Sequence, residues 1–313
     1  MYLRRHYIEI DMALKPILVT GSHRSGSTWV GKMLALSDQI HYIHEPFKPA
    51  KYRPGICGVK FNDWFTYISA HNEKVYKADL TKTVGLQYNW RAKIRHAPSL
   101  HTVRHTLAHT KAYRQHRQDG RVALLKDPIA LFSTEWLAKT FGMEVVVLIR
   151  HPAAFVESVK RKNWDFDFRE FARQPMLMEN MLSPFSAEID QFIRQKQSIL
   201  LQACLLWRIF YHVVYQYQLR YSDQWYFYRH EDLSTHPVTS FRQLFQQVGL
   251  TFSPKIAEKV IQYSTSRNMM SEVQRDSRSN AWKWKTLLSR SEIDQIRHNT
   301  EHIAEHFYTN AEW

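Results

Sequence analysis

Five short apolar runs, each closing on a polar or glycine-bearing stretch, constrain this chain more than any other feature. They are Ile17 to Thr20, Ile40 to Ile43, Val122 to Leu125, Val145 to Ile149 and Trp225 to Tyr228. Runs of this length and composition suit strands buried on both faces. Helical periodicity separates several of them, over Thr28 to Ser37, Ala130 to Thr140, Pro152 to Lys160 and from about Glu188 to Tyr221. Strand then helix, repeated, predicts an α/β fold in three layers, a mostly parallel central sheet with helices on both faces. No internal repeat or low-complexity linker divides the chain, so one domain over residues 1–313 is expected.

Ligands of open parallel sheets bind beyond the carboxyl ends of the strands. The residues that follow the five runs are Gly21 to Ser27, His44-Glu45, Lys126-Asp127, Arg150-His151 and Arg229 to Asp232. All of them would meet on one edge. A glycine-bearing loop, a carboxylate, a lysine and several arginines there form the composition of an anion-transfer site.

The loop GSHRSGST, residues 21 to 28, has the G-x-x-x-x-G frame of a nucleotide-binding P-loop, but Ser27 stands where the lysine is needed. Gly21 and Gly26 permit a tight path, so the N–H groups from about Ser25 to Trp29 can face a phosphate at the positive end of the following helix. The cation that would reach the outer phosphates of a triphosphate is missing, and no compelling acidic pair offers a magnesium site. The loop therefore suits a phosphate without a metal, on a P-loop-NTPase-like fold.

The formal net charge is +14 with seventeen histidines uncounted, which favours anionic ligands without choosing among them. The excess is uneven. Between Arg91 and Arg121 there are eight Lys or Arg and five His, with Asp119 the only acid. Within it His101, His105 and His109 repeat at helical spacing, which reads as a basic, acceptor-facing surface in preference to a zinc site. No run of about 18 uncharged apolar residues could span a bilayer, and the first residues lack a signal-peptide pattern. A cytoplasmic address is expected. The aromatic-rich stretch Leu200 to Tyr221 reads as core packing in preference to a membrane surface. Cys57 and Cys204, far apart, read as ordinary reduced residues.

Two segments resemble signatures of the sulfotransferases that use 3′-phosphoadenosine 5′-phosphosulfate, PAPS. RSGSTW at 24 to 29 resembles that family's loop for the 5′-phosphosulfate. VVVLIRHPAAFVESV supplies Arg150, Pro152 and Ser158 at the spacing of the family's 3′-phosphate signature. FYRHEDL at 227 to 233 and AWKWKTLL at 281 to 288 are similar to later landmarks, so the resemblance runs from about residue 15 to the end.

The second signature also has a mechanical rationale. Arg150 at a strand end offers a bidentate fork, and Ser158, two helical turns on, can donate a hydroxyl to the same phosphate. The structural alternative is an ion-paired Arg150 beside a surface serine. The resemblance implies donor contacts from Arg24, Ser25, Gly26, Ser27, Thr28 and Trp29, with Arg150, Ser158 and His230 completing the nucleotide site. Trp29 is either a core aromatic or an adenine-stacking wall. His230 stands where cytosolic members have a tyrosine near the adenine, and the family's Arg-Lys-Gly triplet has no clear counterpart; Arg275 and Arg278 are candidates for that contact.

HYIHEPF at 41 to 47 resembles the segment in which carbohydrate and tyrosyl-protein members carry a glutamate base, which implies that role for Glu45. LLKDP at 124 to 128 lacks the histidine of the phenol-type members, having Asp127 and Pro128 there. The implied reaction moves a sulfonate from PAPS to a hydroxyl and leaves adenosine 3′,5′-bisphosphate. Catalytic roles fall to Glu45, Arg24 and Lys126, with Asp127 the other base candidate and no metal required. The acceptor is expected to be a saccharide or other small hydroxylated molecule, including already anionic ones, met by a basic segment over 46–121. A P-loop kinase or nucleotidase with a degenerate loop, and a non-catalytic nucleic-acid-binding module, are the competing readings.

Overall fold

Alternation along the strands sorts the apolar side chains into two cores, one on each face of a parallel sheet. The structure, a computed structural model, describes residues 13–49, 52–96, 100–265 and 277–313. Strands β1 (Ile17–Gly21), β2 (Ile40–His44), β3 (Val122–Lys126), β4 (Glu144–Ile149) and β5 (Tyr226–Arg229) lie in the order β2-β3-β1-β4-β5. Every neighbouring pair is parallel. Leu18, Ile43, Leu125 and Val147 point into one core, and Ile17, Val19, Leu124 and Val146 into the other. Helix α1 (Ser27–Leu34) buries Trp29, Val30 and Met33 in the second core.

The segment between β2 and β3 carries α2 (Trp90–His96) and α3 (Leu100–Gln118), which pack on each other. Beyond β3 come α4 (Thr134–Phe141), α5 (Pro152–Arg161) and α6 (Ser186–Arg194). Helix α7 (Ile199–Tyr221) packs on α5 in the first core, and α8 (His230–Thr235) leaves the end of β5. From β1 the chain passes to β2, returns through β3 and crosses to β4 on the far side of β1. The direction of winding reverses at β1, which places the crevice for a ligand at its carboxyl end.

All five expected strands form, with shifts at their ends that have local causes. Trp225 stays out of β5 because its N–H donates to the Tyr221 carbonyl (2.8 Å) and its ring stacks on Tyr221 at 4.2 Å. The long helix expected from about Glu188 is two helices. Gln195 is extended, and Ser198 Oγ accepts from Leu201 N–H at 3.3 Å, capping a fresh start. The helix expected from Ala130 begins as a 3₁₀ turn over Pro128–Ser133 before α4. The aromatic stretch of α7 lies in the core, as its pattern suggested, with Trp207, Phe210, Tyr211 and Tyr217 fully buried. Among the described residues no helix is long and apolar enough to cross a membrane. Cys57 and Cys204 are free thiols buried in the first core, and burial pushes them up to about 11 and about 12.

Candidate active site

The loop after β1 is tight because two of its residues must be glycine. A Cβ on Gly21, at φ +133°, would lie 2.4 Å from the Leu148 carbonyl oxygen of β4. On Gly26, at φ +93°, it would lie 2.4 Å from Nδ1 of His230. Arg24 between them is also left-handed, at φ 64°. Gly26 caps α1 without a side chain, so the first-turn N–H groups of Ser27, Thr28 and Trp29 have no intrahelical acceptor. Ser25 is fully buried, and its Oγ has no partner among the described residues. Together these groups make a cradle of donors at a helix N-terminus, suited to an anion.

Arg150 ends β4 on the same edge. Its backbone is held at both ends: its N–H donates to the Tyr211 hydroxyl (2.8 Å), and its carbonyl accepts from Trp207 Nε1 (2.9 Å). The residue is 7% exposed, yet its guanidinium makes no hydrogen bond among the described residues, and the nearest carboxylate, Glu231, lies 4.0 Å from Nε. Ser158, on the buried face of α5, accepts from Arg24 Nε at 2.8 Å. That bond joins the two sequence signatures. The Tyr211 hydroxyl joins them again, through Ser22 Oγ at 2.8 Å on one side and Arg150 N–H on the other. Sequence reading missed Tyr211, because within an aromatic-rich helix nothing distinguishes a hydroxyl with a partner from another core ring.

Glu45 and Lys126 meet at the ends of β2 and β3. His44 pairs with Lys126 in the sheet register, and Glu45 N–H donates to the Lys126 carbonyl at 2.9 Å, turning the chain through φ 45°. This brings Lys126 Nζ to 2.5 Å from Glu45 Oε1. The Lys126 side chain is wholly buried, its stem against Gly31, where a Cβ would approach its Cγ to 2.9 Å. Lys48 and His44 flank the other carboxylate oxygen at 3.5 and 3.6 Å. Burial acts to raise the Glu45 carboxyl, but the charge and hydrogen bond of Lys126, helped by His44 and Lys48, hold it below the usual carboxylate range. Burial lowers Lys126 against the opposing pull of Glu45. Burial and then Lys126 bring His44 down to about 4. Glu45 is thus held toward its carboxylate form against Lys126, beside an imidazole whose protonation burial and the Lys126 charge oppose.

The sulfotransferase family model matches residues 16–254. The chain belongs to the sulfotransferase family. It is an enzyme of that class, and the kinase or nucleotidase reading falls with the match. No curated protein matches it. Among solved structures it is similar to the sulfotransferase domain from the Synechococcus PCC 7002 olefin synthase, at 16% identity over 96% of this chain and 97% of that one, TM-score 0.49. It is also similar to the sulfotransferase domain from the curacin biosynthetic pathway (13% identity, 92% and 97% covered, TM-score 0.48). A third is sulfotransferase STF9 from Mycobacterium avium (13%, 95% and 77%, 0.46).

Other expected site residues of this sulfotransferase sit differently. Trp29 is fully buried, its ring 5.6 Å from His230 and 5.0 Å from Phe241. It is a core aromatic with no face open for stacking, because the helix that cradles the loop turns its apolar side to the sheet. His230 is 1% exposed and lies on Gly26. Arg229 is engaged by Asp232 (2.8 Å), Glu312 (2.9 Å) and the Phe307 carbonyl (3.0 Å), which ties the C-terminal residues to β5. Asp127 is fully buried and faces inward: its carboxylate accepts from Phe47 N–H (2.7 Å) and Ile129 N–H (3.0 Å). It fastens the Glu-Pro-Phe turn to the end of β3. Arg275 lies outside the described residues, as does the side chain of Arg278. Among the described residues no group of three or more His, Cys, Asp or Glu could hold a metal.

Proposed function

We propose that this sulfotransferase moves a sulfonate from PAPS to a hydroxyl of a saccharide or other small hydroxylated acceptor, leaving adenosine 3′,5′-bisphosphate. The observation that carries this reading is Arg150, a buried guanidinium whose Nε has no hydrogen-bond partner among the described residues and only Glu231, 4.0 Å away, as a carboxylate neighbour, beside the donor cradle of Ser25 to Trp29. A buried donor without a hydrogen bond is costly, and a bound anion would complete it. Two anion sites on one sheet edge, bridged by Arg24 and Ser158, suit a donor phosphorylated at both ends of its ribose.

In this reading the loop N–H groups and Arg24 hold the 5′-phosphosulfate, while Arg150 and Ser158 hold the 3′-phosphate. Glu45 takes the proton of the acceptor hydroxyl as its oxygen forms a bond to sulfur. The bond from sulfur to the phosphate oxygen breaks, and that oxygen leaves with the electron pair. Lys126 and Arg24 stabilise the charge growing there. Lys126 also keeps Glu45 ionised until the acceptor hydroxyl arrives.

Thermal denaturation with adenosine 3′,5′-bisphosphate, AMP and ATP, each with and without magnesium, tests the donor assignment. The bisphosphate should raise Tm well above AMP at equal concentration, with no effect of magnesium. Arg150→Ala should erase most of that difference, since a charge-assisted bidentate contact contributes about 1.5–3 kcal/mol. Equal shifts for AMP and the bisphosphate would remove the 3′-phosphate site, and a magnesium-dependent ATP shift would point to a triphosphate instead.

A further inference from the structure

The basic segment between β2 and β3 takes no part in the donor site. Helices α2 and α3, with residues 52–56 and the chain before α2, line an open cavity of about 320 Å³. Arg53 and Lys93 bring cationic side chains to its wall, His105 and His109 bring imidazoles, and Tyr52 and Tyr88 bring rings. No acidic side chain lines it among the described residues. Arg53 and Lys93 are half-buried, and among the described residues neither has a carboxylate partner.

The wall is preformed. The Tyr88 ring stacks on His109, centroids 5.5 Å apart and planes 15° from parallel, and also packs on Tyr113 at 5.3 Å. Its hydroxyl end rests on Gly55, where a Cβ would lie 2.4 Å from the oxygen. The Tyr52 hydroxyl is pinned to the Gly58 carbonyl at 3.1 Å. The cavity also adjoins the transfer edge. Arg53 Nη1 donates to the His44 carbonyl at 3.4 Å, one residue before Glu45.

Resting on the reading of Glu45 as the base, we infer that this cavity is the acceptor site. Its ligand is a small hydroxylated ring compound that itself carries a carboxylate or sulfate. The anionic group lies against Arg53 and Lys93, and the ring against Tyr52 and Tyr88. Two half-buried cations without a carboxylate partner among the described residues attract an anion more strongly than the same charges in open water. A volume near the low end of the roughly 300–1,000 Å³ usual for ligand pockets fits one or two rings. The anion fixes the ring, and the ring carries its hydroxyl toward the end of β2.

The test is binding by thermal shift and calorimetry of two acids, 4-hydroxybenzoate and glucuronate. Each is compared with an uncharged counterpart, methyl 4-hydroxybenzoate or glucose, and with sodium sulfate at equal ionic strength. At least one acid should bind, at least tenfold tighter than its counterpart and than sulfate, and remain bound with adenosine 3′,5′-bisphosphate present. Arg53→Gln and Lys93→Gln should each weaken that acid about tenfold while leaving the bisphosphate shift intact, which also certifies their folding. No binding by either acid, equal binding of acid and counterpart, sulfate matching the acid, or variants that bind like wild type would each overturn the assignment. Loss of the bisphosphate shift in the wild-type protein would overturn the donor reading instead, and the acid comparison would still judge the cavity.

Discussion

Glu45 shows how far one residue's position can be read from its place in the chain. Its position after an apolar run put it on the transfer edge, and the structure adds an ammonium 2.5 Å away. Glu45→Gln keeps an oxygen for Lys126 but cannot take a proton. Turnover should fall roughly 10²- to 10⁴-fold, the usual contribution of a general base, with bisphosphate affinity within about twofold of wild type on the same argument that a base need not touch the donor. Near-normal turnover would remove Glu45 from the mechanism. Arg150 and Ser158 were singled out by the resemblance, but the Arg24–Ser158 bond was not foreseen, because it depends on how a left-handed residue aims its side chain across the sheet edge. Trp29 was ambiguous for a physical reason: an aromatic at the second position after the loop serves a helix's apolar face or a ligand equally well in sequence, and only packing decides.

At the scale of the elements, the turn after β3 is held by Asp127, whose two bonds clamp the chain from Phe47 to Ile129. Burial pushes this carboxyl up to about 7, against the lowering effect of those bonds. A carboxyl raised in the folded state stabilises most below its unfolded value of about 3.9 and loses that contribution as pH climbs toward 7. Asp127→Asn has no proton to lose. The Tm advantage of wild type over Asp127→Asn should therefore shrink between pH 5 and about 7.5, a window set by the shift toward 7. A constant difference across that range would mean that the carboxyl titrates near its ordinary value. Helix boundaries were the least legible elements. The breaks at Gln195 and at Pro128 come from side-chain caps, Ser198 and Asp127, and a cap competes with helical periodicity that otherwise runs on unbroken.

For the whole molecule, the parallel sheet and its two covered faces were readable from alternation of short apolar runs with helical patterns, since both faces must be buried for either pattern to persist. The order of the strands was not, because sequence spacing does not say on which side of β1 a crossover returns. The cavity between β2 and β3 was legible only as an excess of positive charge, its walls being assembled from three separated stretches. The two buried thiols offer a view of how this assembly breathes. Cys57 lies close to the cavity lining at Ile56, in a segment of short turns, whereas Cys204 is buried in the second turn of α7. A neutral, enclosed thiol reacts with an alkylating reagent only when its surroundings open. Alkylation followed by mass spectrometry should find Cys57 modified many times faster than Cys204, reporting a local excursion of the cavity wall that leaves α7 shut. Matching rates at the two positions would mean that the chain opens as a single cooperative unit, so these native cysteines serve as a built-in clock for motion at the cavity.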